Sequence, residues 1–370
     1  MNRFLMIAIA VLLGLFVFLG FRLTGIGSSS WVVSGVILGS ILLYPLVWNA
    51  KLPDRIDKII RGCTYFAMGL LGLLLAQLLV RDILFIPLSY LNPNLAVGAF
   101  SNTATLSMMG VAVLFLVIGY WKALQGPQIV KVEIPIPSLP AGLENFLIAQ
   151  ISDLHAGPGI DHTYVENIVN QVLSLNADIV VLTGDIADGD FDKYHHRVAP
   201  LARLSEKTPA LYVTGNHEFI HDSEKWIGHF KKIGMNVLMN QHTLISNEKG
   251  SILFAGVTDP AGRNIHPHGG PNVELSLKGS PTSDIKILLA HQPDIADRAS
   301  AFFDLQLSGH THAGQFFPWN YAIKLFQRYD RGLKKSGPMW VYTNIGTGYW
   351  GPPLRLGTTS EITLIQLIKG

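Results

Sequence analysis

The residues most able to do chemistry are aspartates and histidines that follow short apolar runs. An Asp-x-His pair is formed by Asp153 and His155, and a Gly-His-Thr-His segment carries His310 and His312. Within each pair the two side chains are two residues apart, so on an extended strand end they point the same way. Oxygen and imidazole donors without cysteine suit manganese, iron, zinc or similar divalent cations. The pattern therefore predicts a metal site.

Three further loops carry the same residue types. Gly184 and Asp185 end one apolar run, Asn216 and His217 end another, and His291 follows a third. Six to eight ligands of this kind exceed what one tetrahedral ion needs, whereas two ions about 3.5–4 Å apart would use them. Asp185 is then the natural bridging carboxylate. Such a pair of ions can clamp a phosphoryl group and generate hydroxide near neutral pH.

The elements that must position these side chains alternate between strand and helix. Apolar runs of strand length occupy 147–151, 179–182 and 210–213, and 164–175 has the apolar spacing of a helix. Further short apolar runs lie at 252–257, 285–290, 304–308, 339–343 and 362–368. This alternation predicts an α/β domain whose sheet is covered on both faces. Ligands bind such sheets beyond the strand ends, which is where the aspartates and histidines fall.

In order and spacing these motifs resemble the calcineurin-like metallophosphoesterase family, over roughly residues 145–368. The matching segments are Asp153-x-His155, Gly184-Asp185-x-x-Asp188, Gly215-Asn216-His217-Glu218, His291 and Gly309-His310-Thr311-His312. The stretches 308–315 and 342–364 are similar to a branch that contains UDP-diacylglucosamine hydrolase-like enzymes and membrane-attached or transmembrane metallophosphoesterases. Ala313 stands where that branch often has a second glycine, a departure that leaves the ligands intact.

The resemblance implies an α-β-β-α sandwich, two divalent metal ions and a division of labour among the site residues. The ligand sets that it implies are Asp153, His155 and His312 for one metal, Asn216, His291 and His310 for the other, and Asp185 as the bridge. His217 would contact the transferring phosphoryl group as a hydrogen-bond donor or general acid. The residue types agree with this, because Asn216 is a neutral oxygen ligand and adds no further charge.

Other polar residues have two interpretations each. Asp188 either orients a ligand histidine or caps a helix at its N-terminus. Arg263 either binds the substrate phosphate or is a solvated surface arginine. His266 and His268 are more typical of loop residues than of additional metal ligands.

The first third of the chain has a different composition from the rest. The mean hydropathy of +0.32 and the charged fraction of 15% indicate a part that lies outside water, since a soluble domain is roughly 25% charged. Apolar stretches at 4–21, 31–48, 63–80 and 106–121 each approach the ~20 residues that cross a bilayer as a helix. We therefore predict an N-terminal four-helix transmembrane unit over 1–122. The alternatives are a buried helical core and, for the first stretch, a cleaved signal peptide, although no small-x-small cleavage site follows it.

The remaining boundaries and the membrane orientation follow from prolines and basic residues. Residues 123–143 are proline-rich and are predicted to form an extended linker without helix, which leaves 144–370 for the phosphoesterase domain. Basic residues concentrate in the connection 49–62, which the positive-inside rule places in the cytoplasm. With four crossings the protein is integral to the membrane, the inner or plasma membrane if it is bacterial, and its catalytic domain is cytoplasmic.

Composition also excludes several classes of protein and partner. The only cysteine, Cys63, rules out a disulfide framework and a cysteine zinc cluster. Residues 131–370 hold 20 Lys/Arg and 23 Asp/Glu, so the basic excess of a nucleic-acid binder is missing and we expect no nucleic-acid partner. The stretch 316–335 places aromatic residues before a basic cluster. This arrangement suits either a bilayer surface with anionic lipids or a small satellite core beside a solvated helix.

These observations predict a membrane-anchored phosphoesterase with a dinuclear metal centre. It would hydrolyse a phosphate ester or pyrophosphate, of a lipid, a lipid-linked nucleotide or a soluble compound, by attack of a metal-bound hydroxide. One rival is a catalytically idle metal-binding regulatory domain on a membrane sensor or carrier. A channel or transporter is disfavoured, because the apolar stretches are almost free of ionisable groups. Metal identity, monoester or diester preference and oligomeric state stay open.

Overall fold

The computed structural model describes residues 3–23, 26–45, 52–248, 250–264 and 269–370. The chain divides into two compact units. The first, the helical unit, comprises Met1–Trp121 and Gly351–Leu356. The second, the sheet unit, comprises Lys122–Trp350 and Gly357–Gly370.

The helical unit is built from apolar helices. Their bounds are Arg3–Arg22, Ser29–Leu42, Asp54–Leu91, Pro93–Ala99 and Asn102–Leu124. Among the described residues, two helices are long and apolar enough to cross a bilayer, over Arg55–Leu91 and Asn102–Leu124. At the first two predicted stretches, the apolar helical segments that could be assessed are shorter, Ile9–Arg22 and Ser29–Leu42. Four crossings therefore stay a prediction.

The third predicted crossing, 63–80, lies inside a much longer helix. Asp54–Leu91 has 38 residues, or roughly 57 Å at 1.5 Å per residue, which exceeds the ~30 Å hydrocarbon core of a bilayer. An ion pair one turn apart, between Arg61 Nη2 and Asp57 Oδ1 at 3.1 Å, stabilises its first turns. Most of the connection predicted at 49–62 is therefore helical, and three of its four basic residues lie on this helix.

The segment Gly351–Leu356 completes the helical unit. The backbone N–H of Arg355 donates to the carbonyl oxygen of Gly119 at 3.0 Å, and Leu354 and Arg355 are 3% and 0% exposed. A Cβ atom on Gly69 would lie 2.6 Å from the Leu354 side chain, so glycine at that helical position makes room for the leucine. The segment therefore packs against the two long helices.

The sheet unit contains two six-stranded sheets. The described strands are β1 Gln128–Ile136, β2 Leu147–Ile151, β3 Ile179–Thr183, β4 Ala210–Val213, β5 Asn236–Val237, β6 Gln241–Asn247, β7 Gly250–Gly256, β8 Ile285–Leu289, β9 Leu305–Ser308, β10 Gly332–Ser336, β11 Met339–Thr343 and β12 Glu361–Lys369. The first sheet has the order β1-β12-β2-β3-β4-β5 and the second has the order β10-β11-β9-β8-β7-β6. Strands β2 to β5 are mutually parallel, as are β7 to β9, so their carboxyl ends gather at one edge of each sheet.

Short helices connect these strands. The α-helices of the sheet unit are His162–Ser174, Phe191–Tyr194, Ala202–Lys207, Asn216–Ile220, Ser223–Lys232, Val273–Leu277, Ala296–Ala299 and Trp319–Ala322. The first of them begins after Asp161, whose carboxylate accepts the Tyr164 N–H at its N-terminus. Its buried apolar face carries the helical spacing predicted for 164–175.

The two sheets face each other across an apolar core, which includes Ile148 of the first sheet and Ile287 of the second. Helices pack on the outer faces. His162–Ser174 contributes to the apolar cluster outside the first sheet, and Val273–Leu277 and Ala296–Ala299 contribute to the cluster outside the second. The predicted α/β class is therefore observed as a mixed α/β domain with two sheets.

Residues 123–143, which were predicted to form an extended linker, contain strand β1. This strand pairs in parallel with β12 over its whole length, from Gln128 opposite Glu361 to Ile136 opposite Lys369. Its backbone is extended, as the prolines require, and an edge strand tolerates proline because one side of it needs no N–H donor. The segment is thus part of the first sheet, and the sheet unit begins at Lys122.

Candidate metal centre

Five of the predicted ligands lie two or three residues beyond the carboxyl end of a strand, and His155 and His312 lie four residues beyond the ends of β2 and β9. Those strands and residues are β2 with Asp153, β3 with Asp185, β4 with Asn216, β8 with His291 and β9 with His310. Because β2, β3 and β4 belong to one sheet and β8 and β9 to the other, the strand ends of both sheets contribute to one cluster.

Five of the predicted ligands have a left-handed backbone conformation. The residues and φ angles are Asp153 at 51°, His155 at 52°, Asp185 at 51°, His310 at 75° and His312 at 47°. Residues other than glycine adopt this conformation at a cost of about 1–3 kcal/mol each, and such residues concentrate at functional sites. The loops are held in place by backbone pairing, because the His155 N–H donates to the Asp185 carbonyl oxygen at 2.9 Å. Gly309 is needed here, since a Cβ atom on it would clash with the side chains of Ser152 and Asp153.

The first donor set consists of Asp153, His155 and His312. Their ligand atoms all lie within 4.8 Å of one another, and all three residues are buried. The Nε2 atoms of His155 and His312 are 3.0 Å apart, and His312 Nε2 is 3.4 Å from Asp153 Oδ1.

The second donor set consists of Asp185, His291 and His310, with Asn216 beside it. His291 Nε2 lies 3.1 Å from Asp185 Oδ2, 3.2 Å from His310 Nδ1 and 3.2 Å from Asn216 Oδ1. The other ring nitrogen of His291 lies 2.8 Å from the Thr183 carbonyl oxygen. That hydrogen bond requires a proton on Nδ1, and it leaves Nε2 as the ligand atom.

The distances within both sets fit a shared cation. Ligand atoms that lie ~2.0–2.2 Å from one ion, at angles between a right angle and the tetrahedral angle, are roughly 3.0–3.5 Å apart. Asp185 Oδ2 is 3.1 Å from His291 Nε2 of the second set and 3.9 Å from His155 Nε2 of the first. One carboxylate oxygen therefore faces both sets, which is the arrangement that a bridging ligand requires.

The buried charges set the protonation of the histidines. Burial and the neighbouring His217 lower the pKa of His155 to about 4, and burial and His291 lower the pKa of His310 to about 4. Both rings are therefore neutral at pH 7, as metal ligands must be. Burial alone would lower the pKa of His291, but Asp185 and Asp153 raise it well above its usual value. Burial alone would raise the pKa of Asp185, but His291 and His217 hold it well below the usual range.

His217 lies beside both sets and belongs to a separate hydrogen-bonded pair. Its ring centroid is 4.6 Å from that of His155, and its backbone N–H donates to Asp185 Oδ1 at 2.8 Å. Its Nδ1 is 3.0 Å from Asp188 Oδ1. Burial alone would lower the pKa of His217, but Asp185 and Asp188 raise it to about 9. The ring is therefore protonated at pH 7 in the metal-free protein.

The structure excludes one of the two interpretations of Asp188, the helix cap. The helix Phe191–Tyr194 is capped by Asp190, whose side chain accepts the Lys193 N–H. Asp188 instead contacts His217 and also His221, whose Nε2 is 3.3 Å from Asp188 Oδ1. Asp188 therefore contacts His217, which is not a predicted ligand, and its Oδ2 lies 4.0 Å from Nδ1 of the predicted ligand His155. Its role in orienting a ligand histidine stays a prediction.

Glu218 is a site residue that the sequence did not reveal. Its carboxylate is 0% exposed and accepts four backbone N–H groups. Oε1 accepts from Ile186 at 2.7 Å and Ala187 at 3.0 Å, and Oε2 accepts from Asp185 at 3.1 Å and Gly215 at 2.7 Å. From the sequence, one of these four bonds could have been predicted. Glu218 is the third residue of a helix, where a glutamate side chain often accepts the N–H of the capping residue, here Gly215.

The other candidate residues do not belong to the two donor sets. Arg263 is exposed, in the turn Pro260–Asn264, and its phosphate-binding role stays a prediction. His266 and His268 lie outside the described residues. In the stretch 316–335, Asp330 pairs with Arg331 and Lys334. Phe316 is buried, while four apolar side chains after it are exposed. Those side chains are Trp319, Tyr321, Leu325 and Phe326, at 47%, 64%, 82% and 78%.

Comparison with known proteins gives consistent similarities. A family model described as calcineurin-like phosphoesterase matches residues 146–314. A zebrafish "transmembrane protein with metallophosphoesterase domain" is 36% identical over 281 residues, 74% of this chain and 64% of that protein. Uncharacterized metallophosphoesterases of Aquifex aeolicus and Bacillus subtilis are 32% and 31% identical, over 66% and 67% of this chain and 92% and 89% of theirs. The chain thus spans somewhat less than two thirds of the zebrafish relative and nearly all of these two bacterial ones.

Proposed function

We propose that this chain, which belongs to the calcineurin-like metallophosphoesterase family, is a membrane-anchored, metal-dependent phosphoester hydrolase with two metal ions. The observation that carries the proposal is the position of Asp185. Its Oδ2 faces His155 of one donor set and His291 of the other. Two cations held there would neutralise phosphoryl charge and lower the pKa of a bound water.

The chain's own residues then have distinct roles. Asp153, His155 and His312 hold one cation, and Asn216, His291 and His310 hold the other. Asp185 is shared by both sets. The complete donor set argues against the idle regulatory domain, since a site without a function has no reason to keep five strained backbone conformations.

His217 is the proton donor to the leaving oxygen in this proposal. It is not needed as a metal ligand, because both sets are complete without it. Its Nδ1 is engaged by Asp188, which orients the ring and leaves Nε2 for the substrate. Against the effect of burial, Asp185 and Asp188 raise the pKa of the ring in the metal-free protein, and a general acid must carry a proton.

The helical unit anchors the enzyme in a bilayer in this proposal. Its apolar side chains are exposed along several helices, for example Val11 at 55%, Val36 at 64%, Leu84 at 59% and Val117 at 56%. Exposed apolar surface on this scale requires a partner, and a lipid bilayer covers it without further protein. We propose four crossings with the sheet unit in the cytoplasm, and a phosphorylated substrate that is lipid-linked.

The experiment uses the full chain, purified in detergent and loaded with Mn²⁺. Asp185→Asn is expected to lower hydrolysis of bis-p-nitrophenyl phosphate by more than about 100-fold, since even outer residues of metal sites cost 10–100-fold, and to lower bound metal. Asp192→Asn is the matched control, because that aspartate is 73% exposed and pairs with Lys225. Wild-type turnover in the Asp185 variant would contradict the bridging role.

A further inference from the structure

Trp350 is an exposed aromatic residue beside the proton donor. Its ring centroid lies 5.5 Å from that of His217, with the two planes at 68°. The indole is 43% exposed, whereas His217 is 6% exposed. The two rings are therefore in edge contact, and part of Trp350 is exposed to solvent.

The loop that carries Trp350 is fixed to the first donor set. Thr347 N–H donates to the Ser152 carbonyl oxygen at 2.8 Å, and Gly348 N–H donates to that of Asp153 at 3.0 Å. A Cβ atom on Gly348 would overlap the Leu154 backbone, so the loop lies directly on the strand end. The position of Trp350 is thus set by the same backbone that places Asp153.

The backbone of Trp350 is held a second time by Gln315. The Trp350 N–H donates to Gln315 Oε1 at 2.9 Å, and Gln315 Nε2 donates to the Trp350 carbonyl oxygen at 2.9 Å. Gln315 follows the ligand His312 by three residues, and its own N–H donates to the His312 carbonyl oxygen at 2.8 Å. Gln315 is 8% exposed and its carbonyl oxygen accepts from Thr358. Trp350 is therefore fixed to both ligand loops through its main chain, and its side chain makes none of these bonds.

An aromatic side chain whose main chain is fixed in place and which stays exposed at the edge of a site provides a flat apolar surface for a ligand. The leaving oxygen must lie near His217 to receive its proton, so the group attached to that oxygen extends towards Trp350. We propose that Trp350 is a specificity-determining residue that stacks on a planar apolar ring in the leaving group, such as an aryl group or nucleobase. This inference rests on the proposed function, and it names the class of leaving group.

The test measures binding of two phosphonates to the full Mn²⁺-loaded chain by titration calorimetry. Phenylphosphonate carries the ring and methylphosphonate does not. Trp350→Ala is expected to weaken phenylphosphonate by about tenfold, within the range measured for stacking on an aromatic residue, and to leave methylphosphonate unchanged. Trp350→Phe keeps a ring and is expected to retain most of the preference, whereas Trp350→Leu keeps apolar bulk only and loses it.

Trp319→Ala is the matched control, because Trp319 has similar exposure, 47%, and lies in the helix Trp319–Ala322. Equal weakening of both phosphonates, or a preference retained in Trp350→Leu, would overturn the stacking role. Hydrolysis of bis-p-nitrophenyl phosphate by the same samples separates the two proposals. If the wild-type protein does not hydrolyse it in the presence of metal, the proposed function fails. If the wild-type protein hydrolyses it and Trp350→Ala does not selectively weaken phenylphosphonate binding, only this inference fails.

Discussion

The carboxylate of Glu218 joins two loops that would otherwise be independent. It accepts N–H groups from Asp185, Ile186 and Ala187 after β3, and from Gly215 after β4. Those loops carry the predicted ligands Asp185 and Asn216. Four buried donors on one carboxylate leave no lone pair to spare, so a neutral isostere cannot replace it.

Glu218→Gln tests this joining role. The amide nitrogen would face two backbone N–H groups, and each buried donor left without a partner costs about 1–3 kcal/mol. We expect a lower melting temperature without metal and weaker metal binding, measured by thermal unfolding and by calorimetry. Glu206→Gln, at an exposed position, is the control, and a Glu218 variant with unchanged stability and affinity would disprove the role.

The role of the hydrogen-bonded pair His217 and Asp188 can be tested by single substitutions. His217→Ala is expected to lower kcat/KM by about 10²–10⁴-fold for esters with poor alkyl leaving groups, and by much less for p-nitrophenyl esters, which need no proton. Asp188→Asn should lower the same ratio less strongly.

The pH dependence follows from the sign of the His217 shift. A donor must be protonated, and the raised pKa of about 9 keeps His217 protonated at neutral pH. Hydrolysis of the alkyl ester should therefore fall as pH rises through the pKa of His217, and His217→Ala should lack that decline. The same decline in the variant would assign the proton to another group.

Residue types could be predicted from the sequence much better than contacts. The seven predicted ligands were recognisable because each follows an apolar run in a familiar spacing, and the structure brings them into two adjoining sets. Glu218 and Trp350 were missed because their importance lies in bonds to the main chain of distant residues, for which a single sequence carries no signal. Five left-handed ligand conformations were equally invisible, since tertiary contacts impose them.

At the scale of elements, strands were easier to predict than the ends of helices. Apolar runs at 179–182 and 210–213 became β3 and β4 with few changes, because a buried strand is apolar at every position. The helix Asp54–Leu91 extends well beyond the predicted 63–80 at both ends. Charged residues do not stop a helix when they pair one turn apart, as Asp57 and Arg61 do.

The segment from Trp319 to Phe326 carries a prediction of its own. Its basic neighbours Arg331 and Lys334 pair with Asp330, which weakens an electrostatic interaction with lipid, but Leu325 and Phe326 stay 82% and 78% exposed. Replacing both by glutamate should slow hydrolysis of a bilayer-embedded phosphodiester by more than about tenfold, since burial of each side chain is worth about 1.5–3 kcal/mol and about 1.4 kcal/mol corresponds to tenfold.

The control for this segment is the substrate itself. Hydrolysis of soluble bis-p-nitrophenyl phosphate should be unchanged in the double variant, because neither residue belongs to the donor sets. Equal loss with both substrates would indicate damage to the fold, and no loss with either would show that the segment does not contact lipid.

At the scale of the whole molecule, the two units are not two continuous stretches of the chain. Gly351–Leu356 belongs to the helical unit, although the residues on both sides of it belong to the sheet unit. No composition change marks this segment, so the boundaries predicted at 122 and 144 could not include it. Its burial depends on helices that lie more than two hundred residues earlier.

Removal of residues 1–121 should expose this segment while leaving the donor sets in place. All seven predicted ligands lie in the sheet unit, so the truncated protein should still bind Mn²⁺. Leu354 and Arg355 would lose the helices that bury them, and Arg355 would lose its bond to Gly119. Limited trypsin digestion followed by mass spectrometry should therefore show cleavage after Arg355 in the truncated protein and protection in the full chain. Arg328, whose side chain is 67% exposed, should be cut at similar rates in both, and protection of Arg355 in the truncated protein would show that the helices are not what buries it.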